Sequence, residues 1–102
     1  MYEVNFLPIA MQDAVEIVQY IKYELKNKSA ADKFSNNILK SANVLQDFPY
    51  KNPAYFPARK LKHEYRKQII GNYIMFYWVD EEENKVTVAR IIYAQRDYEN
   101  LL

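Results

Sequence analysis

The apolar residues of this chain change their period once, and that change constrains the fold more than any other feature. From Pro8 to Leu45 they recur at three and four residues. Met11, Ala14 with Val15, Val18, Ile21 and Leu25 form one series, and Ala31, Phe34, Ile38, Ala42 and Leu45 form a second. Each series lines one face of a helix. From Leu61 onward the spacing shortens, and segments 61–70, 73–80 and 85–93 are rich in Tyr, Ile, Val and Phe, as strands are. Pro49, Pro53 and Pro57 mark an irregular segment between the two regimes. A helical half followed by a strand half predicts an α+β domain, with a two-helix hairpin packed on a mainly antiparallel twisted sheet.

Local signals set the order. Tyr2 to Phe6 alternates apolar and polar, which suits a half-buried strand. Pro8 fits a helix entry. Asn27 is read as the stop of the first helix, and Ser29 with Asp32 as a capping box in which Asp replaces the usual Glu or Gln. So short a connection makes the helices antiparallel neighbours. Phe48-Pro49 closes the second helix. Gly71, the only glycine, stands before Asn72 at the first central position of a hairpin, which suits a type II′ turn. Glu81 to Asn84 is a polar turn, and residues 97–102 are expected to fold back on the sheet. The predicted order is β-α-α-β-β-β.

Composition narrows the function classes. The chain has 102 residues, the size of one domain. Half its residues are hydrophobic and 26% are charged, which excludes a disordered chain. With no cysteine there is no disulfide framework and no thiolate metal site. Net charge is +1, so any nucleic-acid role rests on local clustering. No signal peptide and no run near the ~20 apolar residues of a membrane span is present. The expectation is a soluble cytoplasmic protein with no membrane association, no metal and no cofactor.

Charge clusters in one place. Arg59, Lys60, Lys62, Arg66 and Lys67 surround a single acid, Glu64. On a strand they would grip phosphates or a carboxylate-rich partner. The plainer alternative is a sheet edge studded with lysine against aggregation. His63, the only histidine, is either a general base or an ordinary surface side chain. Arg90 shares parity with the apolar Val86, Val88 and Ile92, so either a bulge turns it or it emerges at the rim. It and Arg96 either pin the tail internally or add to the basic surface. The ten tyrosines suit half-buried sheets and interfaces alike. No phosphate-binding glycine loop, paired carboxylates or Ser/His/Asp order occurs.

Several segments together resemble the RelE/ParE superfamily of toxins. They are Val4-Asn5-Phe6, Ile17-Val18-Gln19-Tyr20-Ile21, Phe48-Pro49, Tyr65-Arg66, the run from Asn72 to Asp80, and Arg90-Ile91-Ile92-Tyr93-Ala94-Gln95-Arg96-Asp97. The resemblance spans nearly the whole chain and implies the same element order. It implies the toxin of a type II toxin–antitoxin pair, a system used in plasmid maintenance, held in check by a cognate antitoxin. Such an antitoxin would lay an amphipathic helix and an extended segment across the helix pair and sheet.

Two functional classes share that fold. RelE-like members cut messenger RNA on the ribosome, with basic side chains and a late tyrosine or histidine; ParE-like members are associated with inhibition of DNA gyrase. RelE-like nucleases carry an arginine directly after the tyrosine that opens the middle strand, and alternating lysines on the strand before it. Here Tyr73 is followed by Ile74, and Arg66 and Gln68 stand on the preceding strand. The resemblance therefore implies the ParE-like branch, with Arg59, Lys60, Lys62, Arg66, Lys67, Arg90 and Arg96 as target-binding candidates. In the ribonuclease alternative Arg66 and Arg96 would neutralise the scissile phosphate, and Tyr98 or His63 would handle the proton. The basic strand is expected to be rigid with its charges outward, so that Arg66→Ala leaves melting nearly unchanged and weakens toxicity.

Overall fold

The computed structural model describes residues 1–57 and 60–102. Its elements run β1 (Glu3–Phe6), α1 (Pro8–Gln19) prolonged by a π-helical turn (Tyr20–Glu24), α2 (Lys28–Asp47), β2 (Arg66–Ile70), β3 (Tyr73–Asp80), β4 (Lys85–Tyr93) and a 3₁₀ turn (Tyr98–Leu101). The sheet order is β1-β4-β3-β2. β1 lies parallel to β4, while the β3–β4 and β2–β3 pairs are antiparallel. The expected α+β order and the helix hairpin are both present.

Three local expectations change. Asn27 is not the end of the first helix but the cap of the second: its side chain accepts the Ala30 N–H at 3.0 Å. Asp32 instead pairs with Lys28 at 3.4 Å. The chain reverses between the helices at Lys26, which takes φ 51°. Gly71, at φ 58°, supplies the positive dihedral at the first central position of the β2–β3 turn, as a type II′ turn requires. The strand predicted over 61–70 is shorter: residues 61–65 are irregular and only Arg66–Ile70 pairs with β3.

The inner face of α1 also differs. Ala10, Asp13 and Ile21 are buried, with Ala14, Ile17 and Val18 partly so, whereas Met11, Val15 and Leu25 are exposed. The apolar arc on this helix is wider than the strip the sheet covers. A carboxylate, Asp13, sits in the middle of the buried strip, so a search for apolar periodicity places the strip one residue to the side.

Both faces of the sheet carry an apolar layer. On the helix side Ile21, Phe34, Ile38 and Leu45 pack against Met75, Tyr77, Val86, Val88 and Ile91. On the other side Tyr65, Ile74, Phe76, Ala89 and Ile92 are buried beneath Leu7, Tyr55, Leu61, Trp78, Tyr98, Leu101 and Leu102. The cover comes from the segment before β2 and from the C-terminal turn, which folds back as predicted. β3 is consequently buried on alternate residues of both faces, from Ile74 through Tyr77.

A bulge on β4 makes the two layers compatible. Phe76 pairs with Arg90 and Tyr77 with Val88, leaving Ala89 as the extra residue. Val88 and Ile91 can then both face the helices, while Ala89 and Ile92 face away.

Candidate functional site

The basic residues do not form one stiff strand. Arg59 lies outside the described residues. Lys60 and Lys62 are exposed, but on the irregular segment that precedes β2. Lys67 places its ammonium over the rings of Tyr55 (4.7 Å) and Tyr98 (5.6 Å). Arg66, paired across from Tyr77, is held inward. Its guanidinium donates to the Asn52 carbonyl, reaches Glu64 at 3.3 Å and lies 4.8 Å from the Tyr50 ring. Only 14% of that side chain is exposed. The expectation that Arg66 is an outward charge is therefore corrected: it fastens the proline-marked segment to β2.

Arg90 is likewise structural. Its Nε donates to Asp13 Oδ2 at 2.8 Å, its Nη2 to Oδ1 at 3.0 Å and its Nη1 to the Leu101 carbonyl at 3.3 Å. The Asp13 carboxylate holds the guanidinium pKa above its ordinary value. Of the readings offered by the sequence, the bulge is found, and Arg90 does pin the tail, though by its hydrogen bond to Leu101; its ion pair is with α1. Arg96 is exposed at a small cleft it shares with Asp13, Glu16, Tyr20 and Tyr93.

The four residues of the ribonuclease alternative do not converge. Arg66 sits beside Tyr50 and Asn52, Arg96 at the cleft beside α1, and Tyr98 against Phe76 at 5.0 Å. His63 stacks on Trp78, with 3.7 Å between centroids and 5° between planes, and meets Tyr65 edge-on at 5.9 Å. Burial, and then the neighbouring Lys62, push the imidazole pKa below its ordinary value. Ile74, where RelE-like nucleases carry arginine, is buried in the second apolar layer.

Two features escaped the sequence reading. The first is a groove of about 600 Å³ along α1 and α2, lined by Phe6, Met11, Val15, Val18, Ile38 and Leu39. Leu39 is 63% exposed and Val15 53%. The excess width of the apolar arc on α1 was its signal. The second is a polar knot: the Glu81 carboxylate accepts from the Tyr2 hydroxyl at 2.7 Å and the Tyr50 hydroxyl at 2.6 Å. These hydrogen bonds lower the Glu81 pKa and raise that of Tyr50 to about 12. Among the described residues, no helix is long and apolar enough to cross a membrane.

Comparison with known proteins supplies the family. Residues 4–98 match the model of the ParE toxin of the type II toxin–antitoxin system, parDE. No curated protein matches the sequence. Among solved structures, the chromosomal ParDE system of P. aeruginosa superposes with a TM-score of 0.71 at 14% identity, covering 93% of this chain and 98% of that one. The archaeal RelE–RelB complex of Pyrococcus horikoshii gives 0.61 at 13% identity, over 93% and 97% of the two chains. The RelBE complex of E. coli gives 0.55 at 19%, over 94% and 100%. At these identities the superpositions establish the fold.

Proposed function

This chain belongs to the ParE family of toxins of type II toxin–antitoxin systems, and from that premise we propose that it arrests growth by binding DNA gyrase rather than by cutting RNA. The observation that supports this reading best is the second apolar layer. A nuclease surface needs a wet, basic floor on which a phosphate can be neutralised and a proton moved. Here the sheet face away from the helices is filled by Ile74, Phe76 and Ile92 beneath Tyr98, Leu101 and Leu102. His63 is engaged with Trp78, and Arg66 with Asn52 and Glu64. A toxin whose far sheet face is filled in this way is suited to act by occupying its target.

The α1–α2 groove suits the neutralising partner. An amphipathic antitoxin helix would place its apolar anchors against Met11, Val15 and Leu39. Several solved relatives are toxin–antitoxin complexes, which favours an antitoxin partner for this chain too.

The direct test is supercoiling by purified gyrase titrated with purified toxin. Inhibition relieved by the antitoxin is the expected result. Primer extension on translated messages, made in parallel after induction, tests the ribonuclease alternative: breaks in codon register would replace the gyrase reading.

A further inference from the structure

The segments 55–57 and 60–65 meet at a closed neck. The Tyr55 N–H donates to the Tyr65 carbonyl at 2.7 Å, and Ala54 bridges to Arg66 just outside. Tyr65 is buried and meets Trp78 edge-on at 5.8 Å, while His63 lies flat on the same indole. Leu61 packs into the second apolar layer. The flanks are thus fixed to the sheet by rings and backbone hydrogen bonds.

Three described side chains beyond this neck, Phe56, Lys60 and Lys62, are exposed. Phe56 is 84% exposed, more than any other large apolar residue described apart from Met1. Folding gains almost nothing from a phenyl ring left in water. Lys60 and Lys62 are exposed, and among the described residues no carboxylate pairs with either. The one acid in these segments, Glu64, is already directed to Arg66. Among the described residues, an anchored frame therefore presents one exposed aromatic side chain and two cations that line the same shallow pocket.

We propose that Phe56, Lys60 and Lys62 form the surface through which the toxin grips its target, Phe56 entering an apolar pocket on a protein whose rim is rich in carboxylates. The proposal rests on the reading that the toxin acts by binding. A single buried aromatic anchor inside a charged rim is how a few residues come to dominate a protein–protein interface. Complementary rim charges mainly raise the encounter rate. Single-stranded nucleic acid fits less well. It requires a basic groove tracking several phosphates, with successive stacking rings. Here Lys67 is already drawn over Tyr55 and Tyr98, Trp78 is covered by His63, and among the described residues no second ring stacks with Phe56. These segments also lie across the sheet from the α1–α2 groove, so target and antitoxin helix would meet different faces.

The test uses the full chain carrying Phe56→Ser, and separately Lys60→Glu with Lys62→Glu. Both variants are expected to keep the melting temperature and the antitoxin affinity, because the altered side chains are exposed. Phe56→Ser is expected to weaken growth arrest and binding to purified gyrase by about 30-fold, the loss typical of one hot-spot residue. The charge reversal is expected to slow association and reduce its salt dependence. If wild-type toxin inhibits gyrase and both variants inhibit it equally, the surface proposal fails while the target reading stands. If wild-type toxin leaves gyrase untouched but both variants lose growth arrest, the target reading fails and the surface proposal stands. Tight, salt-sensitive binding of a single-stranded DNA oligonucleotide that Phe56→Ser abolishes would overturn the acidic-protein assignment.

Discussion

The carboxylate of Asp13 on α1 meets the guanidinium of Arg90 on β4 in a two-point ion pair, and the same Oδ2 accepts the Ile91 N–H at 3.0 Å. β1 ends at Phe6, opposite Val88, so β4 loses its parallel neighbour just before this point. Asp13 takes over the hydrogen bond that a longer β1 would have made. Asp13→Ala would leave a mostly buried arginine and a buried N–H without their acceptor. The expected cost is about 2–4 kcal/mol, read by urea denaturation, with Asp13→Asn intermediate. A loss near zero would mean that water replaces the carboxylate.

Arg66→Ala carries the reverse of the prediction drawn from sequence. The side chain bonds the Asn52 carbonyl and lies against Tyr50, so its removal is expected to cost about 1–2 kcal/mol. Toxicity should then fall only as far as the lowered melting temperature explains, and recover when growth assays are run cooler. Lost toxicity at full stability would restore Arg66 to the target surface.

The His63–Trp78 stack makes a pH-sensitive reporter, since Trp78 is the only tryptophan. Burial depresses the folded pKa of the imidazole below 6.5. Its contribution to stability is therefore complete above the unfolded value and is lost as pH falls through it toward the lower folded value. Tryptophan emission is expected to change in a single transition whose midpoint lies below pH 6.5. His63→Ala should abolish that transition, and a midpoint above 6.5 would contradict the burial argument.

Val15→Glu combined with Leu39→Glu should abolish neutralisation without harming the toxin. Both side chains are exposed, so melting is expected to stay the same, while two carboxylates in an apolar interface should weaken antitoxin binding by about 100-fold or more. Calorimetry with the cognate antitoxin checks the affinity. Unchanged binding would move the antitoxin off the α1–α2 groove.

The sequence disclosed element types better than side-chain assignments. The helix hairpin, the Gly71 turn and the final two strands follow from short-range periodicity and turn chemistry, which act within a few residues. The faces of α1 and β4 do not, because Asp13 and Arg90 each sit at an apolar position and are reconciled only by meeting each other across 77 positions. The length of β2 was overestimated because Tyr65, His63 and Leu61 look like strand residues. They are apolar for another reason: they cover Trp78 and the sheet. Basic residues close in sequence were likewise read as one surface, yet the inward pull of Tyr50 on Arg66 and of Tyr55 on Lys67 divides them.

The filled far side of the sheet bears on how such a toxin can evolve. An ionic group at a position such as Ile74 would have to be placed in the layer against which Tyr98 and Leu101 pack. An isolated charge introduced there would be stranded in a dry layer, and clearing the cover first would bare Phe76 and Ile92 to solvent. Each mutational step is harmful until its companions arrive. The plug therefore resists stepwise change of that whole sheet face.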